Sequence, residues 1–210
     1  MTIAETVQAG RDAKRKLPAE RREELLRKAV EISRADGLGA VTLRKVAAEL
    51  GVTPGLVSHY FSSAEQLITA AFRTAASEDL DIARAQIAGE PTPTAKINAL
   101  MDYTLDETSM DASALWLEAW SLGRANPALA AEAAALTDRW LGCIAEIVRA
   151  GNDAGEFHAA DPDVAARRLL TMIDGLGAQM VVRAVETGEL KHIARAYVAS
   201  ELHLDRRLSG

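Results

Sequence analysis

Between Thr53 and Tyr60 the chain TPGLVSHY places two hydroxyls, an imidazole and a phenol within eight residues. None of these groups has the spacing of a catalytic or metal-ligating set. The four histidines, His59, His158, His192 and His203, are far apart, and no His-Glu-x-x-His, Gly-x-Ser-x-Gly or phosphate-binding glycine loop occurs. Glu201-Leu202-His203 is too short to mark a metal site, and Cys143, with no histidine near it, reads as buried packing. Exposed Thr53, Ser58, His59 and Tyr60 have a different chemistry available: hydrogen bonding to phosphate oxygens and to base edges. Neither a metal nor a cofactor is expected.

The elements that must position these groups are legible from caps and periodicity. Thr42 precedes Leu43, Val46, Ala47 and Leu50, an i, i+3, i+4, i+7 stripe, and Gly51 ends it. Thr53-Pro54 is an N-cap followed by proline at the first helical position, which opens a short helix to about Tyr60. Two helices joined by a tight glycine turn form a helix-turn-helix, whose second helix enters the major groove of DNA. Ala47-Ala48 leaves room for the second helix to approach. Leu56, Val57 and Phe61 are expected to face inward; Thr53, Gly55, Ser58, His59 and Tyr60 form the polar face.

Upstream, a helix from Pro18 carries Leu25, Leu26, Ala29, Ile32 and Ser33 at helical spacing and stops at Gly37. Downstream, Ser63 with Gln66 three residues on starts a helix to about Ala88. Further helices are predicted over 93–107, 112–124, 127–152, 162–186 and 189–207, started at Thr92-Pro93, Asn126-Pro127 and Asp161-Pro162 and punctuated by Gly155 and Gly188. No alternating β pattern of useful length appears, so the fold class is all-α with about nine helices.

The 210 residues carry a formal net charge of −6, which by itself argues against nucleic acid. Its distribution does not. Residues 1–64 hold 11 Lys/Arg and 8 Asp/Glu, whereas residues 65–210 hold 13 and 22. A basic head on an acidic body suggests two tasks. Residues 1–17 form a basic arm with Arg11, Lys14, Arg15 and Lys16, either a solvated tail or a phosphate-touching segment. No apolar run reaches the roughly 20 residues of a membrane span, and no secretory leader is expected at the amino terminus. A single cysteine fits a reducing compartment, so a cytoplasmic location is expected.

GAVTLRKVAAELGVTPGLVSHYFSSAEQLI resembles the DNA-binding head of TetR-family repressors. Gly37, Thr42, Ala47, Gly51, Val52, Gly55, Tyr60 and Phe61 match the family's run, and Ser58-His59-Tyr60-Phe61 is similar to the BetI-like subgroup, as are LWLEAWSLGRANPAL and RRLLTMIDGLGAQMVV in the body. The resemblance implies that Thr42, Arg44, Lys45, Thr53, Pro54, Gly55, Ser58, His59, Tyr60 and Ser63 meet operator DNA. One departure stands out. The lysine the family usually carries soon after Tyr-Phe is absent from Ser62-Ser63-Ala64-Glu65, which moves that phosphate contact to amides near Ser63 or to the basic arm.

The resemblance further implies a body that holds a small-molecule effector and forms a homodimer. Trp116 and Trp120 share a helix face, and Trp140 lies on the next helix. With Met101, Tyr103, Glu118, Met172 and Asp174 these are the candidate ligand-pocket residues; taken one at a time, apolar residues of this kind more often serve core packing. Asp174 lies in an otherwise apolar stretch. It is either hydrogen-bonded at a helix interface or paired with a cationic ligand of choline-like or polyamine-like type. Gly175, Ala178, Val181, Val182, Ile193 and Tyr197 are the candidate dimer contacts. The expected organisation is an arm over 1–17, a DNA-binding domain over 18–75 and a ligand-binding and dimerisation domain over 76–210. The expected function is a ligand-responsive homodimeric regulator, a repressor of a palindromic operator. A transcriptional activator or a helical protein-interaction module are the alternatives.

Overall fold

The computed structural model describes residues 17–184 and 186–203, so the basic cluster at 11–16 and the end of the last predicted helix lie outside it. Among the described residues there is no strand, and nine α-helices follow one another: α1 (Pro18–Asp36), α2 (Leu43–Glu49), α3 (Pro54–Tyr60), α4 (Ala64–Ala88), α5 (Pro93–Thr104), α6 (Met110–Gly123), α7 (Pro127–Asp153), α8 (Pro162–Val181) and α9 (Thr187–Glu201). Five of them, α1, α3, α5, α7 and α8, begin with proline in the first turn. No helix among the described residues is long and apolar enough to cross a membrane.

The helix starts follow the caps, and the ends differ where the stop signal is not glycine. α5 ends at Thr104 instead of 107, because Asp106 caps a separate 3-10 turn over Glu107–Ser109, accepting from the Thr108 amide at 3.1 Å. α8 ends at Val181 instead of 186. There Arg183 adopts φ +52, and the amides of Arg183 and Ala184 return to the carbonyls of Met180 and Gln179. That is a Schellman closure built on arginine, which no glycine in the sequence announces. Gly188, expected as a stop, is inside α9.

Two apolar clusters meet along α4. Leu25, Ala29, Leu38, Val46, Ala47, Val57, Phe61 and Phe72 pack together with Ala75 and Ala76 of α4; Leu115 and Ala119 of α6 and Leu129, Ala133 and Leu136 of α7 join them from below. From Leu80 onward α4 belongs to the second cluster, with Leu100, Trp140, Ile144, Leu169 and Val198. α4 therefore runs unbroken through residue 75, the expected domain boundary, as a shared beam. Fully burying a Leu or Phe side chain contributes about 1.5–3 kcal/mol, so the many side chains at zero exposure set both clusters.

Polar contacts stitch the head to the body. The Gly39 amide donates to Glu118 Oε2 at 3.3 Å, and Arg34 at the end of α1 reaches three acceptors on α4. Gly37 has φ +87 and ψ 162, a conformation essentially confined to glycine, and a Cβ there would stand 2.4 Å from the Glu118 carboxylate.

Candidate nucleic-acid interface and cavity

α2 and α3 form the expected helix-turn-helix. Thr42 Oγ1 accepts from the Lys45 amide at 3.0 Å and Thr53 Oγ1 from the Leu56 amide at 3.3 Å, which caps both helices. Between them Gly51 takes φ +64, and the amides of Gly51 and Val52 return to Ala48 and Ala47, a Schellman turn that sets the angle of α3. Val57 and Phe61 are fully buried, Leu56 half-buried, and the Arg22 guanidinium lies 5.0 Å over the Phe61 ring.

The side chains left outside are those singled out for contact. Thr42, Arg44, Thr53, Pro54, Gly55, Ser58 and His59 are exposed; Lys45, Tyr60 and Ser63 are half-buried. The Ser58 hydroxyl donates to the carbonyls of Pro54 and Gly55 at 3.2 Å each, so it offers lone pairs outward. His59 and Tyr60 meet edge to face at 5.1 Å, which limits the freedom of both rings. Lys45 differs from expectation: its Nζ is 2.7 Å from Asp36 Oδ2. Exposed ion pairs of this kind contribute only ~0–1 kcal/mol, so a phosphate can replace Asp36 at little cost.

At the start of α4, where the family's lysine is absent, the chain is capped by side chains. Ser63 Oγ accepts from the Gln66 amide at 3.1 Å, and Gln66 Oε1 accepts from the Ser62 amide at 2.7 Å. The 25-residue α4 thus presents a fixed, capped amino terminus with the positive end of its dipole outward.

In the body, α4 to α8 enclose a cavity of about 70 Å³. A single water needs about 10–15 Å³ of such space, so the cavity has room for several waters or a small organic group. All three tryptophans line it, with Tyr103, Asp174 and Ser109. Trp116 and Trp120 are 5.8 Å apart, and Trp116 rests edge-on against Phe72 at 5.2 Å, which ties the cavity wall to the head's apolar cluster. Trp120, 39% exposed, stands at the rim.

The polar lining is unevenly satisfied. The hydroxyls of Tyr103, Thr104 and Ser109 donate to the carbonyls of Asp79, Leu100 and Tyr103 at 3.2, 2.9 and 2.6 Å. These hydroxyls therefore show a ligand lone pairs. Asp79 is paired with Arg34. No donor or cation among the described residues meets Asp174, and burial alone pushes its carboxyl up to about 6.

Five of the eight pocket candidates line the cavity: Tyr103, Trp116, Trp120, Trp140 and Asp174. The other three need correction. Met101 is sealed in the body cluster at 1% exposure. Met172 lies on the outer face of α8 in a shallow concavity with Arg167, Arg168, Thr171 and Tyr197. Glu118 points to the seam at Gly37 and Gly39. Ala178, a candidate dimer contact, also lines the cavity. Gly175 on α8 and Val182 just past its end are exposed, Val181 is half-buried, and Ile193 and Tyr197 are exposed on α9. Asp79 was missed, although it occupies the buried stripe of α4 between Ala76 and Ala83.

A head that offers a capped reading helix, resting on a helical body with a cavity of its own, defines a ligand-responsive helix-turn-helix transcriptional regulator. Comparison with known proteins gives the family. The model of bacterial regulatory proteins of the tetR family matches residues 25–71, and that of the BetI-type transcriptional repressor carboxy-terminal domain matches residues 93–203. The chain belongs to the TetR family, with a body of BetI type. It is 28% identical over 191 residues to the HTH-type transcriptional regulator BetI 1 of Chromohalobacter salexigens, covering 87% of this chain and 90% of that one. The BetI regulator of Rhizobium meliloti is 33% identical over 103 residues, 48% of this chain and 51% of that one. Among solved structures, a putative transcriptional regulator from Saccharomonospora viridis in complex with choline superposes with a TM-score of 0.79 at 24% identity, over 90% of this chain and all of that one.

Proposed function

We infer that this regulator is a homodimeric repressor of a palindromic operator, released by a small organic cation. The observation that carries the effector class is Asp174: a half-buried carboxylate, without a hydrogen-bond or ion-pair partner among the described residues, in a cavity lined by three tryptophans. Such a carboxylate is costly without a partner. An ammonium group supplies the missing charge, and indole faces attract it further by about 0.5–2 kcal/mol each when desolvated. Both a choline-like and a polyamine-like cation meet this requirement. The choline found in the Saccharomonospora viridis regulator supports the same class.

Residues 18–75 read the DNA. Thr42, Lys45, Tyr60 and the capped start of α4 at Ser63 hold phosphates. Ser58 and His59 face base edges, Gly55 lets the backbone approach, Arg44 reaches the backbone or a base edge, and Thr53-Pro54 set the start of the reading helix. Residues 76–210 hold the effector and the dimer. Gly175 on α8 and Val182 just past its end, with Ile193 and Tyr197 on α9, offer exposed surface, and Val182 is 70% exposed. Pairing this surface with its copy buries it, and two-fold symmetry matches a palindrome.

Selection of bound sequences from a random duplex library, at two salt concentrations and with or without choline chloride, tests this function. A palindrome that is recovered, lost steeply with salt and depleted by choline is the expected result. Salt-insensitive binding without a motif would replace DNA reading with a protein-interaction role.

A further inference from the structure

Arg34 belongs to the head, in the last turn of α1, while Asp79 on α4 forms part of the cavity wall. A single guanidinium nitrogen, Nη2, donates to Asp79 Oδ1 at 3.2 Å, to Glu78 Oε2 at 3.1 Å and to the Ala75 carbonyl at 3.4 Å. The two carboxylates differ. The Glu78 side chain is 54% exposed and belongs to the surface, whereas that of Asp79 is 9% exposed, on a residue that lines the cavity. Burial holds the Asp79 carboxyl above its usual range, against the pull of Arg34. One shared nitrogen thus leaves the charge incompletely matched. A cation in the cavity meets the same carboxylate from the opposite side and carries the same sign as Arg34.

We propose that effector and head compete for Asp79. A cation held in the cavity draws on the Asp79 carboxylate, weakens the Arg34 clasp and frees the carboxy-terminal end of α1 from α4. The head then shifts on its beam and releases DNA. This proposal rests on the cation reading of the cavity. The competition is reciprocal, as any coupling between two binding events must be: operator binding, which needs the clasp, weakens the cation. Arg34 is the positioning residue here; Asp79 is shared between it and the ligand, while Asp174 and the indoles hold the ligand from the other walls.

The test uses the full chain, choline chloride and the selected operator duplex. Choline affinity is measured by calorimetry with and without duplex, and operator affinity by anisotropy with and without choline. In the unaltered protein choline is expected to weaken operator binding by about tenfold or more. In Arg34→Gln choline binds the free protein severalfold tighter, and its effect on the operator shrinks to under about threefold. Glu78→Gln removes only the exposed partner and keeps the full effect; Arg34→Lys, charged but without the fork, gives an intermediate one. Should Arg34→Gln not bind operator at all, its choline affinity decides: tighter supports the competition, unchanged overturns it. Unchanged coupling in Arg34→Gln, or equal loss in Glu78→Gln, also overturns it and leaves the cation site standing. Absence of choline binding to the unaltered protein removes both.

Discussion

In the head each helix start downstream of α1 has its cap: Thr42, Thr53 and Ser63 all accept from amides three residues on. In the body Asp174 is left without a partner, and burial raises its carboxyl. The head is complete before DNA arrives, since reading base edges requires side chains already in place. The body's Thr92, Asn126 and Asp161 cap their helices in the same way, so Asp174 is the exception there. Local satisfaction accompanies recognition of a fixed polymer, and local frustration accompanies response to a small ligand.

Breaking the seam between the regions has the largest expected effect. Gly37→Ala forces a side chain into a conformation confined to glycine and against the Glu118 carboxylate, at about 2–3 kcal/mol, read as a lower denaturation midpoint. Adding Glu118→Ala relieves the contact but not the backbone, so recovery is partial. Asp174→Asn tests the frustration itself. Choline affinity falls about tenfold or more while the ligand-free protein gains about 1–2 kcal/mol at neutral pH. The sign follows from the raised carboxyl. Between an unfolded value near 3.8 and a folded value of about 6, rising pH ionises the buried acid and removes stability. The advantage of the Asn variant therefore vanishes near pH 4, and choline affinity of the unaltered protein declines as pH falls below about 6. Denaturation curves and calorimetry at several pH values check both.

Smaller effects sharpen the head. Gly55 has open space around it, so Gly55→Ala is expected to raise stability by up to about 1 kcal/mol while a new methyl group on the reading helix weakens operator binding severalfold. Thr42→Ala removes a cap worth about 1 kcal/mol, and Thr42→Ser restores it; operator affinity by anisotropy should follow the hydroxyl and not the methyl group.

The helix starts and the reading helix were legible because caps, prolines and glycine turns act locally. The cavity was legible in part. Met101, Glu118 and Met172 each stand two residues from a side chain that does line it: Tyr103, Trp116 with Trp120, and Asp174. Two positions along an α-helix amount to about 200°, so each points away from its neighbour's face. That signal was present, whereas proximity along the chain was misleading. Asp79 was legible as an acid in the buried stripe of α4, but its role depends on Arg34, 45 residues away, and local patterns do not show such pairs. The end of α8 was hidden because arginine there takes the conformation usually given to glycine.

The three tryptophans of the chain all line one small cavity. Tryptophan emission from this protein therefore arises from that single place, and an occupant of the cavity meets all three indoles. The regulator carries its own optical gauge of effector occupancy, with no dye or tag, and the helices that read DNA contribute no indole background.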